Sequence, residues 1–325
     1  MQGQNSLRVW SEWTEVLACP ACQGSLVIED DRIECQKCRK TYAIRNGIPY
    51  FVEEEELDDF EVGESQFHSL VAPQADHAHA QATLRAEVLH DAFLAPIYDL
   101  PAEAPVLDVA CGSGVDIVRL AARGFRVVGM DISPGMIAVA QQKMDELGLS
   151  GQVLLCVSSA RALPFRSGCF QAAYICAALH HMQEPQAVLR DMARVTRAGG
   201  LVSVGSEPNA WIYRFRGLKH SKLGRRIMRL FRNDYTIGEQ PPGDAQTEGW
   251  TRADWPALIR DTGLELVRVD PIWYLNGVAS LLGMRALPRW FERALCSIDR
   301  VISAVPVVNQ CSMKWNVLAR AGAAL

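Results

Sequence analysis

The sequence has no uninterrupted apolar stretch of about 18 residues, which excludes an ordinary membrane-spanning helix. It also has no large excess of charge of either sign. Its 33 Lys and Arg against 37 Asp and Glu leave a net charge of -4, with a pI near 6.0. No global basic field therefore points to nucleic acid. The first residues lack a basic region followed by an apolar run, so no secretory signal is expected and the chain is assigned to the cytoplasm. Ten cysteines in that setting are expected to remain thiols, serving metal binding or packing rather than disulfides. Hydrophobic residues at 49% and charged residues at 22% suffice for a sizeable buried core.

What is present starts with Cys19-Pro20-Ala21-Cys22 and Cys35-Gln36-Lys37-Cys38, two C-x-x-C knuckles separated by twelve residues. Each short turn aims two thiolates at one point, so Cys19, Cys22, Cys35 and Cys38 are expected to hold a single tetrahedral Zn²⁺. Four thiolates leave no open position, which makes the ion structural. Leu26-Val27-Ile28 and Arg32-Ile33-Glu34 flank an acidic turn as a hairpin would, so residues 1–52 read as a zinc ribbon. Glu53 to Glu64 is an acidic run, read as a solvated linker or helix face. Leu70, Leu84, Val88, Leu89 and Phe93 then recur at helical spacing and predict one or two helices, giving 53–97 as linker and lid. His77, His79 and His90 fall in this stretch without a ligand pattern and are read as surface or lid residues.

The remainder, 98–325, is organised around Val106-Leu107-Asp108-Val109-Ala110-Cys111-Gly112-Ser113-Gly114. An apolar β-forming run ends in an acid, breaks into a glycine turn, and enters the helical pattern that begins at Val115. Gly112 and Gly114 allow backbone angles closed to other residues and let a ligand approach the main chain. A second strand, Arg126 to Met130, ends at Asp131, whose carboxylate can accept both hydroxyls of a ribose. The third glycine of a dinucleotide fingerprint would fall on Ile117, which weakens a pyrophosphate reading. In order follow a helix from Ser133-Pro134-Gly135, a strand Val153 to Val157, Ala162-Leu163-Pro164-Phe165, a strand Phe170 to Cys176, Leu179-His180-His181-Met182, and Ala198-Gly199-Gly200 before Leu201 to Val204.

This succession resembles the Methyltransf_11 group of class I S-adenosylmethionine (SAM) methyltransferases, and the ribbon resembles the Trm112-like module known for partnering methyltransferases. The resemblance implies an α/β fold: a Rossmann-like seven-stranded sheet with helical insertions, preceded by a small β ribbon. It implies SAM as cofactor, held by Asp108, Ala110, Gly112, Gly114, Asp131, Ile132, Met136, Ser159, Ala160 and Cys176. Two positions depart from the family. Ser159 stands where an acid usually meets the adenine amino group, and Gln171 follows Phe170 where an aspartate is usual. Similar ribbons also precede the methyltransferase domain of 23S rRNA guanine methyltransferases.

His180 and His181 are candidates to take an acceptor proton, an imidazole being suited to this near neutral pH. Glu207 is a candidate substrate carboxylate, with a helix cap or loop charge as the plainer reading. Trp211 to Arg232 carries eight cations and no acid, with Trp211, Phe215, Leu218, Ile227, Leu230 and Phe231 able to gather on one helical face. It reads as peripheral membrane or RNA contact, or as a solvated cap helix. Insertions near 207–250 and 271–310, rich in Trp, Tyr and Leu, are expected to stand over the sheet and form the acceptor pocket. The leading expectation is a SAM-dependent methyltransferase for a small or lipid-like, apolar or aromatic acceptor. The alternatives are an rRNA or tRNA methyltransferase, and a zinc-ribbon scaffold without activity.

Overall fold

The computed structural model describes residues 13–29, 32–80, 84–213, 243, 248–281, 284, 287–306 and 308–322. The basic stretch from 214 to 232, and with it most of the 207–250 insertion, lies outside the described residues. The ribbon contributes β1 (Leu26–Ile28), β2 (Arg32–Cys35), β3 (Thr41–Arg45) and β4 (Ile48–Tyr50). The main body contributes β5 (Pro105–Val109), β6 (Arg126–Asp131), β7 (Val153–Val157), β8 (Phe170–Cys176), β9 (Thr196–Pro208), β10 (Leu264–Ile272) and β11 (Lys314–Ala321). All eleven form one sheet in the order β1-β2-β3-β4-β7-β6-β5-β8-β9-β11-β10.

Strands β5 to β9 are parallel, and β11 inserts antiparallel between β9 and β10. Helices cover both faces, so β5 and β7 are buried along almost their whole length. That is why Val106 to Val109 and Val153 to Val157 read as unbroken rather than alternating apolar runs. The chain leaves β5 toward β6 and β7, then returns to β8 on the other side. This reversal opens a crevice at the carboxyl end of β5, the place where open α/β sheets receive ligands.

Helices α1 (Asp59–Ala80) and α2 (Leu84–Tyr98) precede β5; α3 (Val115–Ala121) and α4 (Pro134–Glu146) follow β5 and β6. Later come α5 (Pro185–Val195), α6 (Trp255–Ile259), α7 (Leu275–Leu281) and α8 (Arg289–Ser303). The start of α4 is set locally: Pro134 suits a first helical turn, and the Ser133 hydroxyl accepts the Met136 N–H at 3.1 Å. Helix α1 is set by a long-range crossing. Ser65 donates to the Ile132 carbonyl at 3.0 Å, and Ser69 meets the Ser133 hydroxyl at 2.8 Å. A Cβ on Gly135 would lie 2.7 Å from the Ser69 Cα, so only glycine lets α1 cross there.

The ribbon is joined to the main sheet by backbone pairing. Tyr50 of β4 pairs with Val157 of β7 in parallel, and the Phe51 N–H donates to the Val157 carbonyl at 2.8 Å. Further back, the Ala18 N–H reaches the Pro164 carbonyl at 3.0 Å, and the Arg166 N–H reaches Val16 at 2.8 Å. Trp13, Leu17, Ile33 and Phe51 are fully or nearly buried in the same cluster as Phe165 and Phe170. Each large apolar side chain buried in this way contributes about 1.5–3 kcal/mol. At the opposite edge, α8 docks on α2 through a buried pair, Arg85 Nε to Glu292 Oε1 at 3.2 Å. Its other acid, Asp299, accepts the backbone N–H groups of Tyr274, Leu275 and Asn276. Among the described residues, no helix is long and apolar enough to cross a membrane.

Candidate cofactor and acceptor cleft

The crevice widens into a cleft enclosing about 890 Å³, open mouth included. Ala110, Gly112, Asp131, Ile132 and Met136 form its inner end at β5, β6 and α4. Ser158, Ser159, Ala160 and Arg161 line the side that follows β7. Phe60, Glu61, Glu64 and His68 face it from a single side of α1. Ala177, Ala178, His181 and Met182, from the turn after β8, close the far end.

Asp131 is held rigidly. Its Oδ2 accepts the Gly112 N–H at 2.8 Å, and Oδ1 accepts the Ser133 N–H at 2.9 Å. Each carboxylate oxygen keeps a further lone-pair direction for a ligand hydroxyl. Burial raises its pKa, against the opposing pull of the Ser133 N–H and the nearby His68. Gly112 has φ +51°, with nothing within 4 Å of the Cβ it lacks. Ala110 and Ala177 also lie in the left-handed region, at φ +56° and +51°. For a residue with a side chain this costs about 1–2 kcal/mol.

Other expected cofactor positions stand behind the surface. Gly114, at φ +74°, packs where a Cβ would be 3.2 Å from Ala140 Cβ and 3.3 Å from Met144 Cε. Asp108 is buried and accepts the Tyr174 hydroxyl at 2.8 Å. Cys176 does not line the cleft; its sulfur groups with His90 and Asp116. His90, read from sequence as a lid residue, lies 2.7 Å from Asp116.

At Ser159 an acid arrives from elsewhere in the chain. The Ser159 hydroxyl donates to Glu61 Oε1 at 2.6 Å, and Arg161 bridges Glu61 and Asp58, reaching Asp58 Oδ2 at 3.0 Å. Glu61 and Glu64 are 9% and 6% exposed. The acidic run is therefore not wholly solvated: α1 turns these two carboxylates into the cleft, while Glu54 and Glu55 stay in water. The reason is the crossing of α1 over the β6–α4 junction, which no local pattern announces. The available signal was the spacing of Phe60, Glu61, Glu64 and His68 along one helical face.

The three catalytic candidates separate. His181 faces the cleft, its Nδ1 lying 2.9 Å from Glu64 Oε2. His68 Nε2 is 3.3 Å from the same oxygen. Glu64 Oε1 accepts the Gly243 N–H at 2.7 Å. Burial pushes the Glu64 pKa up, but His181, His68 and that N–H outweigh it and hold it down to about 2. Glu207 is 0% exposed and accepts the N–H groups of Ala178, Leu179 and His180 at 3.0–3.1 Å, with His180 Nδ1 at 2.8 Å. It fastens the turn that presents His181, and His180 is turned toward it. Among the described residues, none of 271–310 lines the cleft, because α8 is committed to α2.

In the ribbon, the four cysteine sulfurs lie within 4.8 Å of one another, with Cys19 to Cys38 at 3.7 Å and Cys22 to Cys35 at 3.5 Å. A tetrahedral ion with Zn–S bonds of about 2.3 Å spaces its sulfurs about 3.8 Å apart. The cluster is thus compatible with zinc. A Cβ at Gly24 would come 2.9 Å from the Cys35 sulfur, so the loop passes the cluster only as glycine. Burial raises the Cys35 thiol, but the Cys38 and Lys37 N–H groups prevail and bring it to about 6.

With this geometry in place, the likenesses to known proteins are decisive. A methyltransferase-domain family model matches residues 106–200, and a Trm112p-like model matches 12–47. A demethylmenaquinone methyltransferase of Bacillus cytotoxicus is 30% identical over 196 residues, 58% of this chain and 81% of that protein. The chain belongs to the class I SAM-dependent methyltransferases. The O-methyltransferase rstn1 of Aspergillus nomiae is 27% identical over 176 residues, 54% of this chain and 70% of that protein. Human methyltransferase-like protein 27 is 33% identical over 161 residues, 49% of this chain and 64% of that protein. The chain thus spans less than two thirds of some of these methyltransferases. Among solved structures, the [4+2]-cyclase SpnF superposes with TM-score 0.55 at 18% identity, covering 80% of this chain and 95% of that one. A chain from the complex of the Haloferax volcanii Trm112 methyltransferase activator with its methyltransferase gives TM-score 0.50 at 16% identity, covering 78% and 97%. At these identities the two structures show the shared fold alone.

Proposed function

We propose that this methyltransferase transfers a methyl group from SAM to a hydroxyl of a small, largely apolar acceptor, with a structural zinc ion in the ribbon. The observation that carries the reading is one cleft with a fixed ribose-type carboxylate, Asp131, at one end and the Glu64, His68 and His181 group at the other. SAM supplies a methyl group on a positively charged sulfur. Asp131 and the Gly112 main chain hold its ribose, Ile132 and Ala160 flank its adenine, and Ser159 with Glu61 receives the adenine amino group. Glu61 thereby fills the role left open by the serine, which answers one of the two departures behind the inactive-scaffold reading, Gln171 being the other. Phe60, Met136 and Met182 exclude water.

Alignment of donor and acceptor does most of the work in such a displacement, worth on the order of 7–11 kcal/mol at best. A hydroxyl acceptor must also lose its proton, and the Glu64, His68 and His181 group stands where that happens. Relatives described as O-methyltransferase and demethylmenaquinone methyltransferase support an acceptor of this kind. The test is transfer of label from methyl-labelled SAM to a panel of phenols, hydroquinones and bulk tRNA and rRNA. Label is expected in a phenolic or hydroquinone member. Label in RNA alone, with loss of binding as salt rises, would replace this reading by the RNA one.

A further inference from the structure

Glu64, His68 and His181 bring one carboxylate oxygen and two imidazole nitrogens within 4.8 Å of one another. Glu64 and His68 are one turn apart on α1, and His181 arrives from the turn after β8, so two separate elements converge on one point. The closest pairs are Glu64 Oε2 to His181 Nδ1 at 2.9 Å and to His68 Nε2 at 3.3 Å. Ligand bonds of about 2.0–2.2 Å at tetrahedral angles separate donor atoms by about 3.3–3.6 Å. The two carboxylate–imidazole pairs are therefore near the spacing an ion requires, and the two imidazole nitrogens lie within 4.8 Å.

We propose that Glu64, His68 and His181 bind a divalent transition-metal ion at the acceptor end of the cleft, separate from the four-cysteine site. Two imidazoles and one carboxylate, with no thiolate, suit zinc, iron(II) or cobalt(II) rather than magnesium or calcium. Three protein ligands leave a coordination position open, the mark of a reactive rather than a structural site. The ligands are also oriented from behind. The Gly243 N–H fixes Glu64 Oε1 and turns the other oxygen toward the imidazoles. Glu207, fully buried, fastens the 178–180 backbone that carries His181. Such outer contacts are what a metal site needs to hold its ligands in place.

The open position faces the cleft and fits a hydroxyl oxygen as ligand: a phenol or an enol. Resting on the methyl-transfer reading, the ion defines the acceptor as one of these. Its oxygen becomes more acidic on coordination and releases its proton to solvent. The new O–C bond then forms as the donor's S–C bond breaks, and sulfur keeps the electron pair.

The test is metal content of the full chain, loaded with zinc and then dialysed against metal-free buffer, with a parallel cobalt(II) sample read by absorbance. Two ions per chain are expected in the wild type. Glu64→Gln and His68→Gln should each hold one ion, keeping the thiolate-to-cobalt absorption and their affinity for SAM. One ion per chain in the wild type, or two in both variants, overturns the proposal. Should one variant fail to fold, the wild-type count and the other variant still decide. SAM titration of the same samples keeps the two readings apart. SAM binding with a single ion overturns the metal site alone, whereas two ions without SAM binding overturns the methyl-transfer reading alone.

Discussion

The two ends of the cleft are built on different principles. The donor end is made by consecutive chain: β5, its glycine turn, β6 and the start of α4 set Gly112 and Asp131 through neighbours close in sequence. The acceptor end is an assembly of distant pieces, with Glu64 from α1, His181 from the turn after β8, Gly243 from an insertion, and Glu207 from the end of β9. The first is a local motif and the second is a tertiary product. Substitutions should therefore act on one end and spare the other.

The largest effect is expected at Glu207. Removing it as Glu207→Ala strands the N–H groups of Ala178, Leu179 and His180, the second of them buried, and unsatisfied donors of this kind cost about 1–3 kcal/mol each, about 3 kcal/mol or more together. Chemical denaturation should show a drop of about that size, with the folded fraction still binding SAM. An unchanged midpoint would mean that the turn is held by something else. Next comes Asp131→Ala, which deletes a carboxylate that braces the loop and, on the proposed reading, meets the ribose. Hydrogen bonds to charged groups are worth about 1.5–3 kcal/mol, so SAM should bind about 10- to 100-fold more weakly by calorimetry.

A sharper probe of the acceptor end is Gly243→Ala. The added Cβ would fall 2.4 Å from His181 Nδ1 and displace the imidazole. Acceptor KM should rise, by about tenfold on a misplacement worth roughly 1.4 kcal/mol, while SAM affinity stays as in the wild type. A parallel loss of SAM affinity would show that the ends are coupled. The smallest effect is expected from Ser159→Ala, which removes one hydrogen bond to Glu61. At about 1 kcal/mol it should weaken SAM roughly fivefold, and Glu61→Gln should weaken it further.

The same contrast explains what the sequence disclosed. The ribbon hairpin and the donor turn follow from apolar runs, glycines and cysteine spacing, all local signals, whereas the seven-stranded sheet was expected only from the family resemblance. Ile117 at the third fingerprint position is a core residue, consistent with a ligand that needs no third glycine. Glu61, Glu64 and His68 were not legible. A helix bearing acids reads as solvated until Ser65 and Ser69 are seen to lock it over the β6–α4 junction. Glu207 was legible as a candidate but not as a buried clasp, because its partners are backbone N–H groups that carry no sequence identity. The joining of β4 to β7 was hidden for the same reason: one parallel register pair and one N–H bond make it.

The most direct test of the account is calorimetric titration of the zinc-loaded chain with SAM and with S-adenosylhomocysteine, alongside Asp131→Ala and Gly243→Ala. The account predicts micromolar-range binding of both ligands to the wild type and to Gly243→Ala, and binding weakened at least about tenfold in Asp131→Ala. No binding to the wild type, or undiminished binding to Asp131→Ala, would contradict it.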